Sequence, residues 1–306
     1  MEIGFVVGSV GSVSETFILD QAVGLSGRGY ECRFIELGGQ SHDQLHEIVV
    51  DEGFLDDAII FESPPKSTLE RYWGCLLRAV NGLWNEAGTM LNLLRPYATK
   101  PSDIRSTALY DVASWWKAGA EVASCDVIHC HFGPFGARMA ELKRAGAVSS
   151  PIVCSFHGWG TRIDKEVGRE KYATLFECSE AIIVHSEYME EQVLEMGARP
   201  ERLVKVPLGI DVERFRPEDR SADGALTLVS VGRLVELKGH EFAIRAFAEV
   251  AEKTEKELVY KIVGDGPIKG RLVHWAEELG VSESVRFLGA LGRQEVIEEL
   301  ATGDIF

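Results

Sequence analysis

The sequence is short of positive charge: 32 Lys and Arg stand against 48 Asp and Glu, for a formal net charge of −16. That balance argues against nucleic acid or an anionic membrane surface as the main partner, although it leaves room for a local basic pocket. No apolar run approaches the ~18 residues of a membrane-spanning helix. The start, MEIGFVVGS, enters a strand without the basic residues and long apolar stretch of a secretory leader. A cytoplasmic chain is therefore expected. The six cysteines (Cys32, Cys75, Cys125, Cys130, Cys154 and Cys178) contain no CxxC pair and read as small buried hydrophobes in a reducing compartment. No G-x-S-x-G elbow occurs, which removes the serine hydrolase that His157-Gly158-Trp159-Gly160 would otherwise fit as an oxyanion loop. A dinucleotide fingerprint is missing too. Gly264-x-Gly266 follows a strand, but Gly270 comes one residue too late for G-x-G-x-x-G, and no acidic residue ends the strand Val285–Leu288.

What is present centres on Leu226–Gly239, LTLVSVGRLVELKG. Leu226, Leu228, Val229 and Val231 make a nearly continuous apolar run, as in a parallel strand covered on both faces. From Gly239 the apolar positions Phe242, Ala243, Ala246, Phe247 and Val250 recur at three- and four-residue steps, so the period switches to an amphipathic helix. Gly232 is expected to let the backbone turn between the two without a Cβ clash. The turn carries Arg233 and Lys238 to a helix N-terminus, where backbone N–H groups and the positive dipole end favour an anion. A guanidinium can fork onto phosphate oxygens while an ammonium adds a point charge. The turn therefore reads as a diphosphate site.

With 306 residues, 45% of them apolar, the chain is long enough for about two domains. Strands are expected at Ile3–Val7, Tyr30–Leu37, Ala58–Phe61, Val127–His131, Ile152–Phe156, Ala181–His185 and Leu203–Val206. Helices over Lys165–Cys178 and Glu187–Met196 link the last of these. The segment Ser67–Ala123 has helical character and holds four of the six tryptophans; it reads as core helices, with an acceptor groove or a membrane-leaning surface as the functional alternative. Pro207–Gly224 is rich in proline, glycine and charge, and reads as a linker. Beyond it strand and helix alternate: Leu226–Val231, a helix from Gly239, Leu258–Val263, Ile268–Leu279, Val285–Leu288 and Gln294–Ala301. Such alternation implies doubly wound parallel sheets. The domains are accordingly 1–206, a linker over 207–224, and 225–306.

Three further places carry candidate chemistry. In the N-terminal loop, Gly11 lets a ligand approach, and Glu15 either faces that cleft or completes a capping box with Ser12. His129-Cys130-His131 looks like a metal set, but strand alternation puts both histidines on one face and Cys130 on the other, so no metal is expected. His131 and His157 end their strands, where α/β sheets present ligand sites. Gly264-Asp265-Gly266-Pro267 occupies the corresponding position in the second half.

The pieces SETFI (Ser14–Ile18), IHCHFG (Ile128–Gly133), SFHGWG (Ser155–Gly160), VPLGIDVERFRP (Val206–Pro217), VGRLVELKG (Val231–Gly239), IVGDGP (Ile262–Pro267) and VRFLGAL (Val285–Leu291) together resemble glycosyltransferase family 4 in the family's order. SETFI is similar to the branch that builds exopolysaccharides of the colanic-acid type. The resemblance implies a GT-B fold, with two Rossmann-like doubly wound domains facing a cleft. It also implies metal-independent, retaining transfer of a hexosyl group from a nucleotide-sugar to a saccharide or lipid-linked acceptor, without cofactor, and a peripheral contact at the inner face of the membrane. Carried over, Arg233 and Lys238 would neutralise the donor diphosphate, with Gly11 near it. His157 would lie beside the transferred sugar, Gly232 and Gly264-Asp265-Gly266 would border the nucleotide, and Glu15 and His131 would belong to the acceptor side. Gly160 stands where the family has an acidic residue. The family's later pair of glutamates and its terminal helix have no counterpart here, so the second domain is expected to be incomplete. Such a truncated chain is expected to transfer sugar weakly or not at all, with a non-catalytic nucleotide-sugar-binding fragment as the alternative.

Overall fold

The computed structural model describes residues 1–10, 16–37, 47–61, 67, 70, 122–144, 146–158, 165–215 and 224–306. Gly11, Glu15, Trp159 and nearly all of the tryptophan-rich segment lie outside them. The chain divides into two units, Met1–Leu208 and Gly209–Phe306.

The first unit is built on a seven-stranded parallel sheet in the order β3-β2-β1-β4-β5-β6-β7. Its strands are β1 (Glu2–Val7), β2 (Glu31–Glu36), β3 (Ile59–Ile60), β4 (Val127–His131), β5 (Ile152–Ser155), β6 (Ala181–Val184) and β7 (Leu203–Lys205). The helices are α1 (Thr16–Ser26), α2 (Glu47–Asp51), α3 (Gly133–Arg144), α4 (Lys165–Cys178) and α5 (Glu187–Glu195). Alternation sorts β4 in the expected way. Cys130 enters the core cluster with Ile128, Cys154 and Met139, while Phe5, Val7 and Phe34 of the neighbouring strands belong to the cluster on the opposite face. Strand order reverses between β1 and β4, which pair in parallel with Val6 beside Cys130. Doubly wound sheets open a crevice at the carboxyl ends of the strands at such a point. One edge of it is fixed from within: the fully buried Glu36, ending β2, accepts the Val10 backbone N–H through Oε2 at 2.8 Å. Cys125, Cys130 and Cys154 are buried and free, and burial pushes the Cys125 thiol up to about 11.

The second unit carries β8 (Leu226–Val231), α6 (His240–Ala251), β9 (Leu258–Val263), α7 (Lys269–Glu278), β10 (Val285–Gly289) and α8 (Arg293–Ala301), with parallel strand order β10-β9-β8. Its core packs Ile244, Phe247, Tyr260, Ile262 and Leu272 between sheet and helices. Beside β8, Ile305 forms a parallel bridge with Leu228, and Asp304 Oδ2 accepts the Thr227 N–H at 2.8 Å. Gly280 follows α7 with φ of 70°, the left-handed helix end its position implies.

Candidate functional site

Two clusters of chemistry-bearing residues emerge, one in each unit. In the first, β4, β5 and β6 lie side by side; β4 ends in His131, and His157 and His185 follow β5 and β6 within two residues. His131 and His157 are 1% and 7% exposed, and His131 Nδ1 lies 3.3 Å from His157 Nε2. His157 is walled in by the rings of Phe17, Phe132 and His185, with centroids 4.6, 4.8 and 4.7 Å away. His131 stacks on Phe5. His129, one turn of the pleat below His131, bonds Ser155 Oγ through Nε2 at 2.8 Å and meets Gln21 Nε2 through Nδ1 at 3.5 Å. The amide donates there, which leaves His129 protonated on Nε2 and donating to the serine. His185 Nδ1 lies 2.7 Å from the Val206 carbonyl, to which it donates. The Nε2 atoms of His131 and His185 are buried without a hydrogen-bond partner among the described residues.

His129, His131 and His157 are held in the uncharged form. Burial, together with the neighbouring imidazoles, lowers His129 to about 4 and His157 to about 3 and holds His131 well below its usual value. His157 therefore contributes hydrogen-bonding capacity and shape to its surroundings rather than positive charge. A consequence is testable by folding alone. Because the folded values lie below the unfolded value of about 6.5, the unfolded chain binds more protons between the two, and stability is full above pH 6.5 and lost as pH falls toward the folded values. Each histidine can contribute a slope of about 1.4 kcal/mol per pH unit. Denaturant midpoints measured from pH 6.5 to 5, above most carboxylate titration, should fall less steeply for His131→Phe, which retains a ring against Phe5 without a proton site. An unchanged slope would show that this histidine does not titrate with folding.

The turn from β4 into α3 has an unusual backbone. Phe132 has φ of 74°, the one non-glycine residue with positive φ among those described. Bulky side chains avoid this region, and it persists where the surroundings over-determine it. Here the conformation brings the Phe132 ring against His157, while Gly133 behind it has no room for a side chain, since a Cβ would lie 2.6 Å from Phe156.

In the second unit the turn between β8 and α6 behaves differently from its sequence-based description in one respect. Gly232 is not in the left-handed region, and a Cβ there would meet Lys238 Cδ at an ordinary 3.7 Å. The glycine that the path requires is Gly239, with φ of 69°, which ends a short 3-10 turn (Glu236–Lys238) and opens α6. Leu234, fully buried, plugs the middle of the turn into the core. Arg233 and Lys238 on either side are exposed, and among the described residues neither forms an ion pair. The stem of Lys238 lies along Gly232, and so does the His240 ring, buried at the first position of α6. Burial and the Lys238 charge lower the His240 pKa against the upward pull of the Arg233 and Gly232 carbonyls, burial being the largest effect.

The loop Gly264–Gly266 braces this turn. Leu234 N–H donates to the Asp265 carbonyl at 2.9 Å, and Gly232 N–H to Val263 at 2.9 Å. A Cβ on Gly264 would lie 2.0 Å from the Gly232 oxygen, and one on Gly266 would lie 2.4 Å from that of Leu234. Asp265 is engaged locally, with Oδ1 accepting Gly266 N–H at 2.7 Å and Oδ2 pairing with Lys269 at 3.1 Å. Both hold its carboxyl below the usual range, the backbone bond more strongly. Packing and hydrogen bonding thus already account for three residues singled out as nucleotide contacts. Ser155, His185 and His240 escaped the sequence reading as site residues. Among the described residues no group of three or more His, Cys, Asp or Glu is arranged to hold a metal ion.

Residues 14–214 match the family described as Glycosyltransferase Family 4, and residues 211–306 match Glycosyl transferases group 1. The chain belongs to glycosyltransferase family 4. This glycosyltransferase is 26% identical to WcaL of Escherichia coli (strain K12), a glycosyltransferase named for colanic acid biosynthesis, over all of the present chain and 74% of that protein. A Salmonella typhimurium WcaL is 26% identical over 96% of this chain and 71% of its own. Among solved structures, Anabaena HepE in complex with UDP and glucose superposes with a TM-score of 0.66 at 15% identity, covering 99% of this chain and 72% of that one. At that identity the likeness establishes the GT-B type of fold and nothing finer. No helix among the described residues is long and apolar enough to cross a membrane.

Proposed function

We propose that this glycosyltransferase moves a hexosyl group from a nucleotide-sugar to a saccharide or lipid-linked acceptor in polysaccharide biosynthesis, with retention at the anomeric carbon and without a metal or other cofactor. The observation that carries the reading is the pair Arg233 and Lys238, exposed and without ion-pair partners among the described residues, on a turn that feeds a helix N-terminus. When the anomeric bond breaks, negative charge grows on the departing diphosphate. Preorganised cations and backbone N–H groups aimed at that charge lower the barrier, which is the service a divalent ion performs in other glycosyltransferases. The neutral His157 would orient a sugar hydroxyl, and Gly11, Gly264 and Gly266 would border the donor. Glu15 and His131 would serve the acceptor side. The WcaL relatives support the polysaccharide class, and HepE, seen with UDP, supports a uridine nucleotide as the first donor to test.

A thermal-shift screen of UDP-, GDP- and ADP-sugars with the full chain tests this directly. One nucleotide class should raise the midpoint, the stabilisation reaching about 2.7 kcal/mol at a hundredfold excess over Kd. Radiolabelled sugar from that donor should then appear in a lipid-linked saccharide. No shift from any donor together with no transfer would refute the proposal.

A further inference from the structure

The turn that presents Arg233 and Lys238 also carries a carboxylate, Glu236, three residues from one and two from the other. Left to itself it would compete with any anion for those cations. It is instead engaged by a cation of α7. Glu236 Oε1 accepts from both Nη1 and Nη2 of Arg271, each at 3.0 Å, and Arg271 belongs to α7. The neighbouring acids are handled alike. Glu241, in the first turn of α6, pairs with Arg245 at 2.9 Å and lies 4.0 Å from Arg271. Arg245 in turn sits over the Trp275 ring at 4.2 Å. Asp265 is paired with Lys269. Each of these carboxylates thus has a helix cation of its own, whereas Arg233 and Lys238 have no carboxylate partner among the described residues.

We propose that Arg271 is a positioning residue that withdraws Glu236 from Lys238, so that the ammonium stays available to the diphosphate of a nucleotide-sugar. This rests on the reading of the turn as a diphosphate site. The Glu236 and Arg271 side chains are 74% and 45% exposed, so the pair adds little to stability. Its effect is on where one negative charge resides. Two unit charges a few ångströms apart near a surface attract appreciably before screening, and a carboxylate released beside Lys238 becomes an intramolecular competitor for the ligand.

Acylation of the full chain with limiting acetic anhydride, followed by mass spectrometry, reads the accessibility of the Lys238 amine without any nucleotide. Lys253 serves as internal reference. In Arg271→Ala the Lys238 rate should fall about twofold to fivefold relative to Lys253, the range that an exposed ion pair implies. In Glu236→Gln/Arg271→Ala it should return. An unchanged rate in Arg271→Ala overturns the proposal, as does a loss that Lys253 shares or that Glu236→Gln fails to restore, because those outcomes assign Arg271 to packing. Calorimetric titration with UDP, GDP and ADP adds the second arm: the tightest of the three should weaken by a similar factor in Arg271→Ala and recover in the double variant. A nucleotide whose Kd is unchanged in Arg271→Ala also overturns it. If no nucleotide binds the unaltered chain while the labelling pattern holds, the diphosphate reading fails and the withdrawal of Glu236 by Arg271 stands.

Discussion

Lys238→Ala and Arg233→Ala are each expected to lower kcat/KM for sugar transfer about tenfold or more, and the double variant about a hundredfold or more. The estimate comes from charge-assisted hydrogen bonds, worth roughly 1.5–3 kcal/mol each, and from the factor of ten that 1.4 kcal/mol represents. If the two cations act on the charge that develops as the diphosphate departs, kcat should fall more than KM rises. If they only hold the ground-state donor, KM alone should move. Arg233→Lys separates geometry from charge, because an ammonium cannot fork onto two phosphate oxygens as a guanidinium does. Because both cations would touch one diphosphate, their losses need not add, and a double variant no worse than either single would mean that they act as a unit. Folding should be spared, as both side chains are exposed and Leu234 holds the turn in the core. Both single variants within twofold of the unaltered enzyme would remove the turn from the mechanism.

Much of the scaffold was legible because buried parallel strands are short unbroken apolar runs, and β4 and α4 occupy the expected limits, Val127–His131 and Lys165–Cys178. Alternation along β4 also placed His129 and His131 together, their centroids now 4.3 Å apart, with Cys130 in the opposite core. The array itself was not legible. Seeing that His185 stacks on His157 requires knowing that β6 lies beside β5, and no local pattern encodes that adjacency. His240 was hidden for a related reason: at the head of an amphipathic helix a histidine reads as exposed, whereas the turn folds over it. The one available signal was the Lys-Gly step before the helix. A glycine there points to the left-handed link at Gly239, whereas the chain bends at Gly232 without a positive φ and with room for a Cβ. Gly11 and Glu15 fall outside the described residues.

Gly264→Ala separates the two reasons a glycine can stand at the end of β9. If the residue is there only so that a nucleotide can come close, alanine should leave the fold intact and weaken binding. The geometry favours a larger effect. The backbone has φ of 140°, which side-chain-bearing residues avoid, and the added methyl would lie 2.0 Å from the Gly232 carbonyl oxygen. Strain of this backbone kind costs about 1–3 kcal/mol, and overpacking adds about 1–3 more. The oxygen cannot simply retreat, since Gly232 N–H is bonded to Val263 and the next residues are held by the Leu234 plug and its bond to Asp265. Relief would have to come by separating the two loops, which breaks those bonds and shifts Arg233. A loss of about 2–6 kcal/mol in urea unfolding of the second unit is therefore expected, with the first unit unaffected. Gly270→Ala makes the control, because nothing lies within 4 Å of a Cβ at that helical position and alanine favours the helix. Full stability in Gly264→Ala with weakened nucleotide affinity would return the residue to the ligand, whereas a collapse of both would identify the brace between the loops as what holds the cationic turn in place.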